Sequence, residues 1–187
     1  MALKSKPSKR DAILDAMLDI VVERGFHDAP MSLVAQRSGA SPGIIYHYFS
    51  SKEDIIKALY ERIRTLKREA FLGDFDPDRD PGQVFVHIFV RVYNFYRKHQ
   101  REMRFYELCG HAGFACAPEP AGKDKRAAAF ATRFSSRSHG GVLKEWPSDV
   151  LEEMTLGFVA RLAAQPRRIA EPLLREIAQG AWEMVKA

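Results

Sequence analysis

Apolar residues along this chain recur at intervals of three and four from one end to the other, and strand-type alternation is scarce, so the pattern predicts an all-α protein. The first helix is expected to start at Ser8, with Ser8 and Asp11 placed as a capping box, and to carry Ile13, Met17, Ile20 and Val21 on one apolar face. Gly25 supplies a left-handed stop, and Phe26 can fold back onto that face. A short second helix spans about Met31 to Ser38 and ends at Gly39; a third begins at once, with Ser41 as cap and Pro42 in the first helical position. Two short helices joined by a glycine turn make the helix-turn-helix pattern. The fourth helix opens at Ser50 and Ser51, with Glu53 and Asp54 each three residues past a serine, and runs through Ile55, Ile56, Leu59, Tyr60 and Ile63 to about Phe71.

The stretch from Gly73 to Gly82, dense in Asp, Pro and Gly, reads as a loop. From Val84 to His99 the chain is apolar almost all the way round, broken by the stripe His87, Arg91, Asn94 and Lys98, as expected of a mostly buried helix. Further helices are predicted near Glu102 to Cys109, Lys123 to Ser135, Ser148 to Ala164 and Ile169 to Val185. Pro172 fits the last of these only within its first turn. The functional boundary is expected inside the start of the fourth helix: residues 1–53 form a helix-turn-helix module with a basic arm, and residues 54–187 form a larger helical domain.

Composition narrows the class. The 187 residues are enough for a core that needs neither disulfide nor metal, and the two thiols, Cys109 and Cys116, suit a reducing compartment. No apolar run approaches a membrane span, since Arg91 and Asn94 interrupt the richest segment, so a soluble, cytoplasmic protein without a membrane partner is expected. The formal net charge of +5 favours polyanionic partners, and its placement in Lys4, Lys6, Lys9 and Arg10 suggests a basic tail, either solvated or reaching into a DNA groove. The spacing Cys109, His111, Cys116, with His139 downstream, matches no standard zinc pattern, so neither a metal nor a cofactor is expected. No nucleophile elbow, phosphate loop or paired carboxylate argues for an enzyme.

The most informative stretch is Leu33 to Ile56, LVAQRSGASPGIIYHYFSSKEDII. Val34, Ala35, Ile45 and Phe49 are expected to form the hydrophobic knot that sets the angle between the second and third helices. Gly39 makes the turn, and Ser41 caps a helix whose free N–H groups are themselves a phosphate-binding device. Pro42, Gly43, Ile44, Tyr46, His47 and Tyr48 are left facing outward, and three consecutive large polar-aromatic residues cannot share one core face. In a major groove their hydroxyls and imidazole suit phosphates or base edges, and Ile44 suits a thymine methyl.

Across Val34 to Lys52 the sequence resembles the TetR family of bacterial regulators, with an Ala-containing second helix, a glycine turn, a short third helix ending in Tyr-His-Tyr-Phe, and a Lys opening the fourth. The resemblance implies that Pro42, Gly43, Ile44 and Tyr46 approach operator double-stranded DNA, that Tyr48 and Lys52 hold phosphates, and that Ser32 and Arg37 lie nearby. It also implies a repressor that acts as a homodimer on a palindromic operator and is released by a small-molecule effector. Pro30 stands where the family often has a capping Thr, which shifts the expected cap to Asp28. Ile44 replaces a residue that is often small or polar.

Beyond Lys52 the resemblance is one of helix pattern. It places a dimer interface on the last two helices, where Leu151, Met154, Phe158 and Leu162 stripe the first and Leu173, Ile177, Ala181 and Val185 the second, with Gly157 and Gly180 permitting close approach. The same stripes would equally serve the monomer's own core. An effector pocket is expected among Phe85, Phe89, Tyr93, Tyr96, Phe105, Tyr106, Phe114, Phe130 and Phe134, which suggests an apolar or aromatic ligand, although rings at helical spacing are also ordinary core.

Overall fold

The computed structural model describes residues 8–113 and 124–187. Helices occupy most of these residues: α1 (Lys9–Arg24), α2 (Met31–Ser38), α3 (Pro42–Tyr48), α4 (Lys52–Leu72), α5 (Pro81–Lys98), α6 (Gln100–His111), α7 (Lys125–Arg133), α8 (Ser148–Glu152), α9 (Phe158–Ala164) and α10 (Glu171–Val185). Between α8 and α9 the backbone stays helical through a π turn, Glu153–Gly157. The β-type pairing among the described residues consists of two isolated bridges, Ser136 with Leu143 and Leu143 with Lys186. The all-α class read from the sequence is therefore the observed one.

The helices start where side chains can satisfy their first-turn N–H groups. Ser8 Oγ accepts from the Asp11 amide at 3.1 Å, and its own hydroxyl donates to the Asp11 carboxylate at 2.6 Å, so the return bond of the capping box goes to the hydroxyl. Ser51 Oγ accepts from the Asp54 amide at 3.1 Å, and Asp80 Oδ1 from the Gln83 amide at 2.9 Å. Helix α2 corrects one expectation. Its N-cap is Pro30, and no side chain, Asp28 included, bonds its first turn; the Pro30 carbonyl instead accepts from the Leu33 and Val34 amides at 3.0 and 3.2 Å. Gly39, at φ +62°, makes the left-handed turn out of α2, a conformation that costs a side-chain-bearing residue about 1–2 kcal/mol.

The chain divides into two compact units, one within Met1–Thr65 and Arg101–Ala117, the other within Leu66–Gln100 and Pro118–Ala187. The first unit buries Ile13, Leu14, Met17, Ile20 and Val21 of α1 against Val34, Ile45, Phe49, Ile55, Ile56, Leu59 and Ile63, all at most 5% exposed. Burial of such a side chain contributes roughly 1.5–3 kcal/mol, so Val34 of α2 and Ile45 of α3 anchor their short helices in this core. Phe105 of α6 is fully buried in this unit, edge-on to Phe26 with centroids 5.9 Å apart. Tyr106 stacks on Tyr60 at 4.8 Å, with their hydroxyls 3.1 Å apart.

In the second unit α5 packs against α9 and α10. Its core combines Val84, Ile88, Phe89, Val92 and Tyr93 with Val159, Ala163, Leu174, Ala178 and Ala181. Tyr93 Oη accepts from the Ile169 amide at 2.9 Å, and Arg97 donates to the Ala163 carbonyl at 3.2 Å, which pins the turn between α9 and α10. Gly82 is required at the start of α5, because a Cβ there would lie 2.7 Å from Trp182 Nε1. Pro172 sits in the first turn of α10, the one place in that helix where its missing N–H costs nothing.

The π turn changes which residues face inward. In an unbroken α-helix Leu151, Met154, Phe158 and Leu162 share one stripe. The extra residue in the turn rotates the following helix by about 100°, so Leu151 is buried before it, Val159 and Ala163 are buried after it, and Phe158 is left 36% exposed.

Candidate nucleic-acid interface

Helix α3 is short and tightly bounded. Ser41 Oγ accepts from the Ile44 amide at 3.4 Å, the Ser41 carbonyl accepts from the Ile45 amide at 3.0 Å, and the Phe49 amide closes the last turn on the Ile45 carbonyl at 2.9 Å. Only Ile45, with Phe49 at the C-cap, enters the core. Pro42, Gly43, Ile44, Tyr46, His47 and Tyr48 are all exposed, with Tyr46 58%, Tyr48 44% and Ile44 38% accessible. A capped seven-residue helix with one anchoring face thus presents two tyrosines, an isoleucine and a histidine to whatever lies outside. The rings support one another: His47 and Tyr48 meet edge-on at 5.1 Å, and Tyr48 and Phe49 are tilted at 6.5 Å.

Arg37, Lys52, Lys9 and Arg10 each have a partner inside the chain. Arg37 on α2 donates from both terminal nitrogens to the Glu23 carboxylate, at 2.8 and 2.6 Å. That pairing holds the Glu23 carboxyl below the usual carboxylate range and raises the Arg37 guanidinium. Lys52, at the start of α4, donates to the Phe26 carbonyl just past α1. Lys9 donates to the Gly39 carbonyl at 3.1 Å, and the Arg10 guanidinium lies 5.3 Å from the centre of the Phe49 ring. These bonds tie α1 to α2, to the turn and to the α3–α4 junction. Nζ of Lys52 and of Lys9 each keeps two further donors for a second acceptor. Ser32 and Ser41 are exposed, and Ser41 Oγ accepts the α3 cap bond, an arrangement in which its O–H can still donate to an outside acceptor. Sequence reading singled out the Arg37 and Lys52 positions but not Glu23, whose role appears only when α1 and α2 are packed together.

The residues expected to line an effector pocket separate. Phe85, Phe89, Tyr93, Tyr96, Phe130 and Phe134 lie in the second unit, in or against its core. Phe130 and Phe134 stack at 4.7 Å, and Phe85 lies 5.4 Å from Trp182. Phe105, like Tyr106, belongs to the first unit, and Phe114 lies outside the described residues, as does Cys116. Cys109 is fully buried on α6. The second unit also has an open groove edged by Arg79, Gln83, His87, Arg175, Gln179 and Trp182, none of them among the expected aromatic set.

The interface stripes divide as well. Leu151, Ala181 and Val185 are buried in the chain's own core, while Leu173 is 46% and Phe158 36% exposed, with Met154, Gly157, Leu162 and Ile177 half-buried. Val150, 41% exposed, joins the outward set although the sequence pattern did not single it out. Gly180, mid-helix in α10, is exposed with open space where a Cβ would stand. No helix among the described residues is long and apolar enough to cross a membrane.

Residues 13–59 match the family model described as bacterial regulatory proteins, tetR family, a span that covers α2, α3 and most of α1. The chain is 40% identical over 71 residues to the HTH-type transcriptional regulator BetI of Klebsiella pneumoniae, covering 38% of this chain and 36% of that protein. It is 37% identical over 59 residues to the fatty acid metabolism regulator protein of Bacillus subtilis, covering 32% and 30%. The matched part thus spans about a third of the length of these curated relatives. The fold extends further: a TetR family transcription regulator from Marinobacter aquaeolei superposes with a TM-score of 0.83 over 95% of both chains at 21% identity. One from Haemophilus influenzae superposes at 0.74 over 96% of this chain and 97% of that one at 17% identity. With its turn glycine and cap serine in register, the segment 13–59 carries the helix-turn-helix described for bacterial regulatory proteins of the tetR family, and the helical order of the whole chain is the fold of solved TetR-family regulators.

Proposed function

We propose that the chain is a transcriptional repressor, not an enzyme, that binds a palindromic operator as a homodimer through α3 and is released by a small apolar or aromatic effector. The observation that carries this reading is the outward face of α3, where Ile44, Tyr46 and Tyr48 stand more than a third exposed although the chain has a core to bury such groups. A short helix with a capped N-terminus and exposed hydroxyls, with Lys9 at the turn before it and Lys52 at the start of the helix that follows, is suited to a major groove. Residues 1–53 are the DNA-binding module in this reading. Ser32, Ser41, Tyr48 and Lys52 serve phosphates, and Pro42, Gly43, Ile44, Tyr46 and His47 approach the bases.

Two half-sites roughly 34 Å apart require two copies of α3. The exposed apolar residues Val150, Phe158 and Leu173, with Gly180 exposed two turns after Leu173 on α10, are the ones we assign to the surface for the second copy. The effector is assigned to residues 54–187, against the partly covered rings Phe85, Tyr96, Phe130 and Phe134 at the margin of the second core. Helix α4 contributes residues to both units, with the boundary between Thr65 and Leu66, and in this reading it is the element through which effector binding acts on the module that carries α3. Such coupling requires an effector that binds the released form more tightly than the operator-bound form.

The test is the affinity of the purified protein for DNA from its own upstream region, against a scrambled duplex, at several salt concentrations. Specific binding by a dimer supports the reading. Equal, weak binding to both duplexes overturns it.

A further inference from the structure

Side chains that read bases in the major groove do so mainly as Arg or Lys on guanine and Asn or Gln on adenine, while apolar groups recognise the thymine methyl. Helix α3 contains none of those four polar types between Pro42 and Tyr48. Lys9, Arg10, Arg37 and Lys52 are each engaged within the chain, at Gly39, Phe49, Glu23 and Phe26. Ile44 stands 38% exposed in the first turn of α3, an aliphatic group one turn before the exposed Tyr48.

The backbone beside it gives a second, independent sign. Gly43 is helical and is not among the glycines with positive φ, and a Cβ built there would meet nothing within 4 Å. Neither the turn nor the packing of the chain requires a glycine, and glycine weakens a helix relative to alanine. What it permits is closer approach of an outside surface to the first turn of α3 than a side chain would allow.

We propose that α3 reads its half-site through thymine: the 5-methyl group of a thymine packs on Ile44 while the backbone at Gly43 lies in van der Waals contact with the groove. Sequence preference then comes from methyl contact and shape, and the hydroxyls of Tyr46 and Tyr48 and the His47 imidazole position the helix on the duplex. This rests on the DNA-binding reading above.

The experiment uses the full chain and a site selected by that chain from a random duplex library. Each thymine of the site is then replaced in turn by deoxyuridine, which removes only the methyl. We expect one position per half-site at which the change weakens binding about fourfold, and roughly fifteenfold when both half-sites are changed, from the burial of one methyl group each. The Ile44→Ala variant, checked for unchanged helicity, should bind thymine and uracil sites alike. Equal binding of the two sites by the unaltered protein, or discrimination that survives in Ile44→Ala, overturns the proposal while leaving specific DNA binding intact. Failure to enrich any sequence at any salt concentration overturns the DNA-binding reading and the proposal with it.

Discussion

Both terminal nitrogens of Arg37 are bonded to the two carboxylate oxygens of Glu23, at 2.8 and 2.6 Å, which makes the guanidinium a brace between α1 and α2. A planar, two-point pair of this kind fixes orientation as well as position. Glu23→Gln leaves the brace without its charge and frees Arg37 for a phosphate. The expected result is tighter binding to scrambled DNA and a salt slope steeper by about 0.9 per protomer, the signature of one added phosphate contact. Fluorescence anisotropy from low to moderate salt measures it, and an unchanged slope would show that releasing Arg37 from Glu23 adds no phosphate contact.

Gly43→Ala separates stability from recognition. Alanine is preferred to glycine in a helix by about 0.5–1 kcal/mol, and the position has open space, so the variant should unfold about 2 °C higher. Its affinity for a selected operator should nevertheless fall at least tenfold, because the methyl stands where the groove must come. Differential scanning fluorimetry and a gel shift on the same preparation decide it; a more stable protein that binds as well as before would remove Gly43 from the interface.

Local signals made most of this fold legible. Ser8, Ser41 and Ser51 cap the helices they were expected to cap, Gly39 takes the left-handed turn, and Pro172 lies in a first turn, since each feature depends on residues within four positions. Of the expected knot of Val34, Ala35, Ile45 and Phe49, three are buried as the spacing implied, while Ala35 is only half-buried. What escaped depends on distant pairing or on a change of helical phase. Nothing local marks Glu23 as the partner of Arg37 or the Phe26 carbonyl as that of Lys52. The periodic stripe through Leu151 and Phe158 assumes 3.6 residues per turn, and the π turn at Glu153–Gly157 breaks that assumption, turning one residue inward and the other out. Phe105 carried the same aromatic signal as Phe89, yet it packs on Phe26 in the other unit.

Glu145 should confer acid sensitivity on the second unit. Its carboxylate accepts from the Ser138 amide at 2.5 Å and the Ser138 hydroxyl at 2.8 Å, tying the turn at Arg137–His139 to the segment before α8. Those bonds, the amide first, hold its carboxyl below the ordinary glutamate value. A depressed folded-state pKa means that the unfolded chain takes up the proton first. The stabilisation is therefore complete above the ordinary glutamate pKa of about 4.3 and is lost as pH falls through the folded value. Thermal melts of the unaltered protein and Glu145→Gln should differ at about pH 7 and converge towards about pH 3. A difference that stays constant across that range would place the effect elsewhere.

Leu173 and Leu174 are neighbours on α10 with opposite surroundings, one 46% exposed and the other 1%. If the outward stripe is covered by a second copy, a charge at Leu173 faces an apolar partner and must be desolvated without a counterion, which an interface of this kind does not tolerate. Leu173→Glu should then give a folded monomer, with helicity retained and the mass by light scattering halved. Leu174→Ala removes packing from the chain's own core and should cost about 2–5 kcal/mol of stability without altering the mass below the unfolding transition. Because one DNA half-site holds a single α3, the Leu173→Glu monomer should also lose most of its affinity for a two-half-site operator while its affinity for an isolated half-site is unchanged. A Leu173→Glu protein that remained a dimer and bound the full operator normally would move the interface off this stripe.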